Sequence, residues 1–303
     1  MTKPNHFINL EAWSSEDLTE LIDLALSLKA DLKAGRPHRH LEGKNVGMVF
    51  DKSSLRTRVS FEVGINQLGG HAIVLGDSAG KLGDREPIAD FARVSSRYVD
   101  ALVVRTFEES RVEELIQYAD IPVINALTDE SHPCQSVADM MTLIEALGQL
   151  KGKTLTYVGD SNNVARSLLR AAMKLGLSMR IASPIGYEFE SKEKAEYEKL
   201  GFELLNDPKE AVKGVDAIYT DVWTSMGQEK EQQERLKAFE GYIVDHDLMA
   251  GANPDVKLLH CLPAHRGEEI SHEAIESDHS IVFDQAENRL HAQKAILSTL
   301  FQK

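Results

Sequence analysis

Ser54-Leu55-Arg56-Thr57-Arg58 packs two hydroxyls and two guanidinium groups into five positions. The run follows the apolar Val46-Gly47-Met48-Val49-Phe50 after three intervening residues and lies directly before the helix-prone Val59-Ser60-Phe61-Glu62-Val63. A strand that ends in such groups and then turns into a helix is suited to hold a phosphate. The first turn of a helix leaves N–H donors unpaired, and its dipole makes that end positive. Hydroxyls and a forked arginine add charge-assisted hydrogen bonds. Two arginines at a helix start oppose the same dipole, so an anion would offset the repulsion. The competing reading is a solvated basic turn with chance hydroxyls.

Other reactive side chains fall at similar places. Arg105 follows Ala101-Leu102-Val103-Val104, and His132-Pro133-Cys134-Gln135 comes just after Ile121-Pro122-Val123-Ile124-Asn125. Asn162 and Asn163 follow Leu155-Thr156-Tyr157-Val158, Asp221 follows Ala217-Ile218-Tyr219-Thr220, and His260-Cys261-Leu262-Pro263 follows Val256-Lys257-Leu258-Leu259. In open parallel sheets, ligands sit outside the carboxyl ends of the strands, where strand order reverses. Six polar clusters at six such ends favour ligand roles over chance.

The elements that must position them alternate. Ser14, with Asp17 three residues on, opens an amphipathic helix whose Leu18, Leu21, Ile22, Ala25 and Leu28 share a face, up to a stop at Gly35 and Pro37. Strands are expected near 46–50, 72–75, 101–104 and 122–125, with helices near 57–68, 87–97 and 110–118 between them. A helix near 134–148 leads to Gly148 and Gly152, and the alternation restarts with strands near 154–158, 178–182, 215–219, 257–259 and 281–283. A last helix runs over Gln285 to Phe301. Short β runs separated by helices mean βαβ units. The fold class is therefore α/β, with two parallel-sheet, Rossmann-like domains joined by helices.

The 303 residues suffice for two domains with their own cores. A net charge of -14 argues against nucleic-acid or anionic-membrane partners, which need a broad basic field, and leaves a small anionic ligand for the arginine cluster. Two cysteines, Cys134 and Cys261, are too few for a disulfide framework and fit a reducing compartment. No signal-peptide core opens the chain and no stretch approaches ~20 apolar residues, so a soluble cytoplasmic protein is expected. Solenoid repeats and low-complexity tracts are absent from the sequence.

On these motifs the chain resembles the transcarbamoylases, through Phe50-Asp51-Lys52-Ser53-Ser54-Leu55-Arg56-Thr57-Arg58 and His132-Pro133-Cys134-Gln135. It is similar to the ornithine branch through Gly159-Asp160-Ser161-Asn162-Asn163, Asp221-Val222-Trp223-Thr224-Ser225-Met226-Gly227 and His260-Cys261-Leu262-Pro263. The resemblance implies a carbamoyl-phosphate domain over 1–135, to which the C-terminal helix 285–303 returns, and an ornithine domain over 136–284. It also implies a homotrimer, or a multiple of trimers, with sites between subunits, and carbamoyl transfer from carbamoyl phosphate to the δ-amine of ornithine, giving citrulline and phosphate.

By the same resemblance, Ser54, the Leu55 amide, Arg56 and Thr57 hold the phosphate, and Arg105 bridges phosphate and carbonyl, a double contact that suits a planar fork. His132, Gln135 and Arg289 bind the carbamoyl group, with Lys81, Cys261 and Leu262 completing that pocket. Asn162, Asn163, Asp221, Ser225 and Met226 bind ornithine. Cys261, Arg105, His132 and Arg56 are the catalytic set, with attack through a tetrahedral intermediate and no covalent enzyme adduct. Ornithine's δ-amine titrates near about 10.4, so something must favour its neutral form, a role that falls to Cys261. Leu55 stands where the family's motif has Thr, and Lys81 where the ornithine branch has Gln, closer to the aspartate branch.

No cofactor is implied, and no metal: the eleven histidines show no His-x-x-x-His pair and the cysteines no Cys-x-x-Cys. A dinucleotide-binding dehydrogenase is discounted because Gly159-Asp160-Ser161-Asn162-Asn163-Val164 lacks the three-glycine spacing. A non-catalytic anion-binding relative would have lost at least one of the catalytic side chains. A negatively charged Asp221 disfavours aspartate as the acceptor.

Overall fold

The computed structural model describes residues 4–75, 81–225 and 227–302. The chain divides into two units, Met1–Met141 with Glu287–Lys303, and Thr142–Ala286. The first carries α1 (Ser15–Lys33), β1 (Asn45–Phe50), α2 (Leu55–Gln67), β2 (His71–Leu75), α3 (Ile88–Ser95), β3 (Ala101–Arg105), α4 (Glu109–Tyr118), β4 (Val123–Leu127) and most of α5 (Pro133–Leu147). The second carries β5 (Thr154–Val158), α6 (Asn163–Leu175), β6 (Ser178–Ala182), α7 (Ser191–Lys199), β7 (Glu203–Leu205), α8 (Pro208–Ala211), β8 (Ala217–Thr220), α9 (Gln232–Ala238), α10 (His246–Met249), β9 (Lys257–His260) and α11 (His272–Ile275). α12 (Val282–Phe301) begins in the second unit and belongs mostly to the first.

In unit 1 a four-stranded parallel sheet has the order β2-β1-β3-β4. β3 and β4 are buried along their whole length, as expected of parallel strands covered on both faces. Gly47 has no Cβ for a packing reason: one would lie 2.9 Å from Leu102 Cδ2 on the neighbouring strand. α1 opens with the expected capping box, Ser14 accepting from the Asp17 amide while the Asp17 carboxylate accepts from Ser14, and it buries Leu18, Leu21, Ile22, Ala25 and Leu28. α2 and α12 approach closely at Gly64, where a Cβ would come within 3.1 Å of Lys294 Cγ.

In unit 2 the parallel order is β7-β6-β5-β8-β9. Val158, Ile218, Phe239, Leu258 and Ile270 lie in its core. Strand order reverses between β1 and β3 in one sheet and between β5 and β8 in the other, which fixes where each sheet offers a crevice.

Two expectations change. The strand expected near 281–283 is the start of α12: Ser280 forms a single parallel bridge with Leu258, the Ile281 N–H donates to the Leu258 carbonyl at 3.0 Å, and the chain then turns helical. Ile281-Val282-Phe283 has β character alone, but the following Asp284-Gln285-Ala286-Glu287 favours helix and prevails. β7, a three-residue strand paired only with β6, went unread because Glu-Leu-Leu carries too short a pattern.

Candidate active site

In unit 1 the candidate groups gather at the carboxyl ends of β1 and β3, on either side of the reversal. Ser54 caps α2, its side chain accepting from the Thr57 N–H at 3.3 Å, and no acidic residue occupies the first turn. Without a carboxylate there, the helix start keeps its positive end for another anion. The buried Thr57 hydroxyl accepts from two guanidinium groups, Arg289 at 3.1 Å and Arg105 at 3.4 Å. Arg289 also donates to Gln135 Oε1 at 2.5 Å, and Gln135 Nε2 donates to Asp139 at 2.8 Å.

His132 is buried beside this group. Burial, then the charges of Arg289 and Arg105, hold its imidazole well below the usual 6.5, so it is neutral at neutral pH. Cys134, two residues on, is also buried; its thiol donates to the Asn125 carbonyl at 3.3 Å and burial pushes it up to about 12.

Thr57, Arg105, Gln135 and Arg289 thus form one bonded cluster with His132 at its side. Arg56 and Leu55 are both exposed at the helix start, Leu55 at 76%. Lys81 stands apart from the bonded cluster, its ammonium 4.8 Å from the centroid of the Phe107 ring.

Several supporting contacts carried no sequence signal. The ammonium of Lys52, buried two residues before Ser54, lies 4.7 Å from the same Phe107 centroid and pairs with Asp129. Asp51 accepts from the Thr106 hydroxyl at 2.6 Å and the Leu82 N–H at 3.1 Å. Glu109 accepts from Asn9 at 2.9 Å, Thr128 at 3.1 Å and the Ser131 hydroxyl, fixing the turn that delivers His132. Each pairs residues distant in sequence, which no local pattern encodes.

In unit 2 the groups stand at the ends of β5, β8 and β9. Asn162 caps α6, its Oδ1 accepting from the Val164 N–H at 2.9 Å and the Ala165 N–H at 3.2 Å, and its Nδ2 donates to Asp221 Oδ2 at 2.9 Å. The other oxygen of the buried Asp221 accepts from the Val222 N–H at 2.8 Å and the Cys261 thiol at 2.9 Å. Asn162, Asp221 and Cys261 are therefore one bonded triad.

Tyr157 donates to Asn162 at 3.3 Å, and burial followed by the charges of Asp221, Asp160 and Cys261 keeps its phenol well above the usual 10. Asn163 and Ser225 are half-buried nearby in sequence, the Ser225 N–H donating to Gln228 Oε1 at 3.0 Å; Met226 lies outside the described residues. A buried ion pair missed in the sequence, Arg235 to Asp160 at 2.7 Å, also ties the Trp223 carbonyl at 2.9 Å, anchoring the segment that leads to Ser225.

Leu262 follows Cys261 with φ +56°, a left-handed conformation that costs a bulky residue on the order of 1–3 kcal/mol. Its N–H donates to His260 Nδ1 at 2.8 Å. Asp221, His260 and Cys261 bring three ligand-type atoms within 4.8 Å of one another, as do His265, Glu268 and Glu269. Both ring nitrogens of His260 are engaged, Nδ1 by Leu262 and Nε2 by Glu269 at 3.0 Å, which leaves no lone pair for a cation in the first group. Among the described residues no helix is long and apolar enough to cross a membrane.

Residues 5–145 match the family model for the aspartate/ornithine carbamoyltransferase carbamoyl-P binding domain, and residues 151–300 match that for the Asp/Orn binding domain. The ornithine carbamoyltransferase of Syntrophotalea carbinolica is 52% identical over 296 residues, covering 97% of this chain and 98% of that protein. That of Pyrococcus abyssi is 51% identical over 304 residues, 98% of this chain and 96% of its own. Among solved structures, the ornithine carbamoyltransferase from Pyrococcus furiosus superposes with a TM-score of 0.92 at 50% identity, covering 96% of this chain and 95% of that one.

Proposed function

Since the chain belongs to the aspartate/ornithine carbamoyltransferase family, we propose that it transfers the carbamoyl group of carbamoyl phosphate to the δ-amine of L-ornithine, giving citrulline and phosphate. The observation that carries this reading is the convergence of Arg105 and Arg289 on the Thr57 hydroxyl, at an acid-free helix start and beside a neutral His132.

In this reading Ser54, the Leu55 amide, Arg56 and Thr57 take the phosphate, and Arg105 spans phosphate and carbonyl oxygen. His132, as a neutral donor, and Arg289 stabilise negative charge as it develops on that oxygen. Gln135, oriented by Arg289 and Asp139, binds the carbamoyl NH₂. Asp221 pairs with the α-ammonium of ornithine, and Asn162, Asn163, Ser225 and Met226 hold its α-amino and carboxylate groups.

The neutral amine attacks the carbamoyl carbon, a C–N bond forms, and a tetrahedral intermediate collapses by C–O cleavage to expel phosphate. The Cys261–Asp221 pair takes the proton that the amine sheds. Carbamoyl phosphate binds first, since its anion offsets the arginine charges. Lys81 completes the pocket from a neighbouring copy of a cytoplasmic trimer.

Carbamoyl transfer to a panel of ornithine, putrescine, lysine and aspartate, scored by the ureido product, tests the reading. Turnover confined to ornithine is expected. Turnover with another amine reassigns the second pocket, and none with any overturns the proposal.

A further inference from the structure

The turn after β9 depends on a residue that contacts no proposed substrate group. The His260 side chain is fully buried, and its Nδ1 accepts the Leu262 N–H at 2.8 Å. An imidazole nitrogen that accepts cannot carry the proton, so the hydrogen-bond pattern assigns the proton to Nε2, which donates to Glu269 Oε1 at 3.0 Å. The same carboxylate oxygen accepts the His265 N–H at 2.6 Å, and Glu269 is fully buried. The His260 backbone N–H donates to Gln285 Oε1 at 2.9 Å, which fixes the residue from the main-chain side.

We infer that Glu269 is a positioning residue: it selects the Nε2–H tautomer of His260, and the free Nδ1 lone pair then holds Leu262 in its left-handed conformation, so that Cys261 presents its thiol to Asp221. The chain of contacts is short and each link has one polarity. If the proton moved to Nδ1, two N–H groups would face each other at Leu262. That residue would lose the bond that offsets its backbone strain, and the Cys261 Sγ contact with Asp221, 2.9 Å, would lose its geometry.

Asn and Gln place an amide at different ends of the ring they replace. In H260N the Asn Oδ1 falls near the Nδ1 position and can still accept from Leu262, while in H260Q the Gln amide falls near Nε2 and can serve only Glu269. Likewise E269Q keeps the acceptor oxygen that E269A removes.

The inference concerns the Cys261 turn that the proposed transfer reaction uses, and its first readout needs no substrate: the rate of Cys261 alkylation by iodoacetamide against pH in the unliganded protein. H260Q and E269A are expected to shift that rate on the order of tenfold, the scale of one lost hydrogen bond, and to lower kcat with KM for carbamoyl phosphate little changed. H260N and E269Q should retain the wild-type profile. Equal effects from H260N and H260Q, or no effect from either, overturn the inference. Should E269A fail to fold, the His260 pair decides alone. The expected alkylation pattern without transfer to ornithine would sink the functional reading and leave the positioning role standing.

Discussion

Arg289 donates a 3.1 Å hydrogen bond to the hydroxyl of Thr57, 232 positions earlier in the chain. The last helix thereby brings a guanidinium to the start of α2, and its second nitrogen reaches Gln135. Lysine carries the charge but cannot span both partners. R289K is therefore expected to lower kcat/KM by about 10- to 100-fold, the range of a charge-assisted hydrogen bond, with the defect seen in carbamoyl phosphate titrations at saturating ornithine.

His132 should stay neutral well into the acid range. Burial and two guanidinium charges lower its folded value below 6.5, so the unfolded chain takes up this proton first, and stability is lost as pH falls below 6.5. Nitrogen-15 NMR of the imidazole in the folded protein should report a neutral ring at pH 6. A ring that titrates near 6.5 would remove the neutral donor from the proposed chemistry.

Asp221 receives the Asn162 amide on one oxygen and the Cys261 thiol on the other. D221N keeps the size but offers an NH₂ where one of those donors points. Under the proposed function it should reduce kcat/KM for ornithine by about 100-fold or more, through the lost charge and the misdirected donor, while carbamoyl phosphate binding, followed by calorimetry, changes little.

The two cysteines should be chemically distinct. Cys134 is buried, bonded to the Asn125 carbonyl and raised to about 12, whereas Cys261 is half-buried. Ellman's reagent at pH 8 should titrate one thiol quickly in the folded protein and both after denaturation. Fast reaction at both would contradict the packing around α5.

Lys294 is fully buried against His38 at 2.8 Å and Gln67 at 3.0 Å, and burial, opposed only in part by Asp31, lowers its amine to about 8. The unfolded lysine titrates near 10.5, so between pH 8 and 10.5 the unfolded state binds more protons and this residue makes stability rise with pH. Denaturant titrations of K294M across that window should lack this contribution.

Much of this organisation was legible because one rule governs it. Side chains that end a parallel strand near a reversal of order share a crevice, and Thr57, Arg105, Asn162 and Asp221 could be picked out by reading polar residues after apolar runs. The capping residue Ser14 was visible from its spacing to Asp17, whereas the cap that Asn162 makes on α6 was not read from the sequence. What stayed hidden is pairwise and distant: Glu109 with Ser131, Arg235 with Asp160, and Glu269 with His260 follow no periodicity. The β-prone Ile281-Val282-Phe283 misled because the helix is set by the residues after it.

Glu287–Lys303 belongs with Met1–Met141, so the order in which residues leave a ribosome is not the order in which the units can be completed. Unit 2 has all five of its strands once Ala286 has emerged. Unit 1, begun first, must wait for Arg289 to reach Thr57 and Gln135, and for Lys294 to reach His38, Gln67 and the gap at Gly64. The half that is synthesised first is finished last. Throughout that interval Thr57, Gln135, His38 and Gln67 lack the α12 partners that complete their hydrogen bonds in the finished unit.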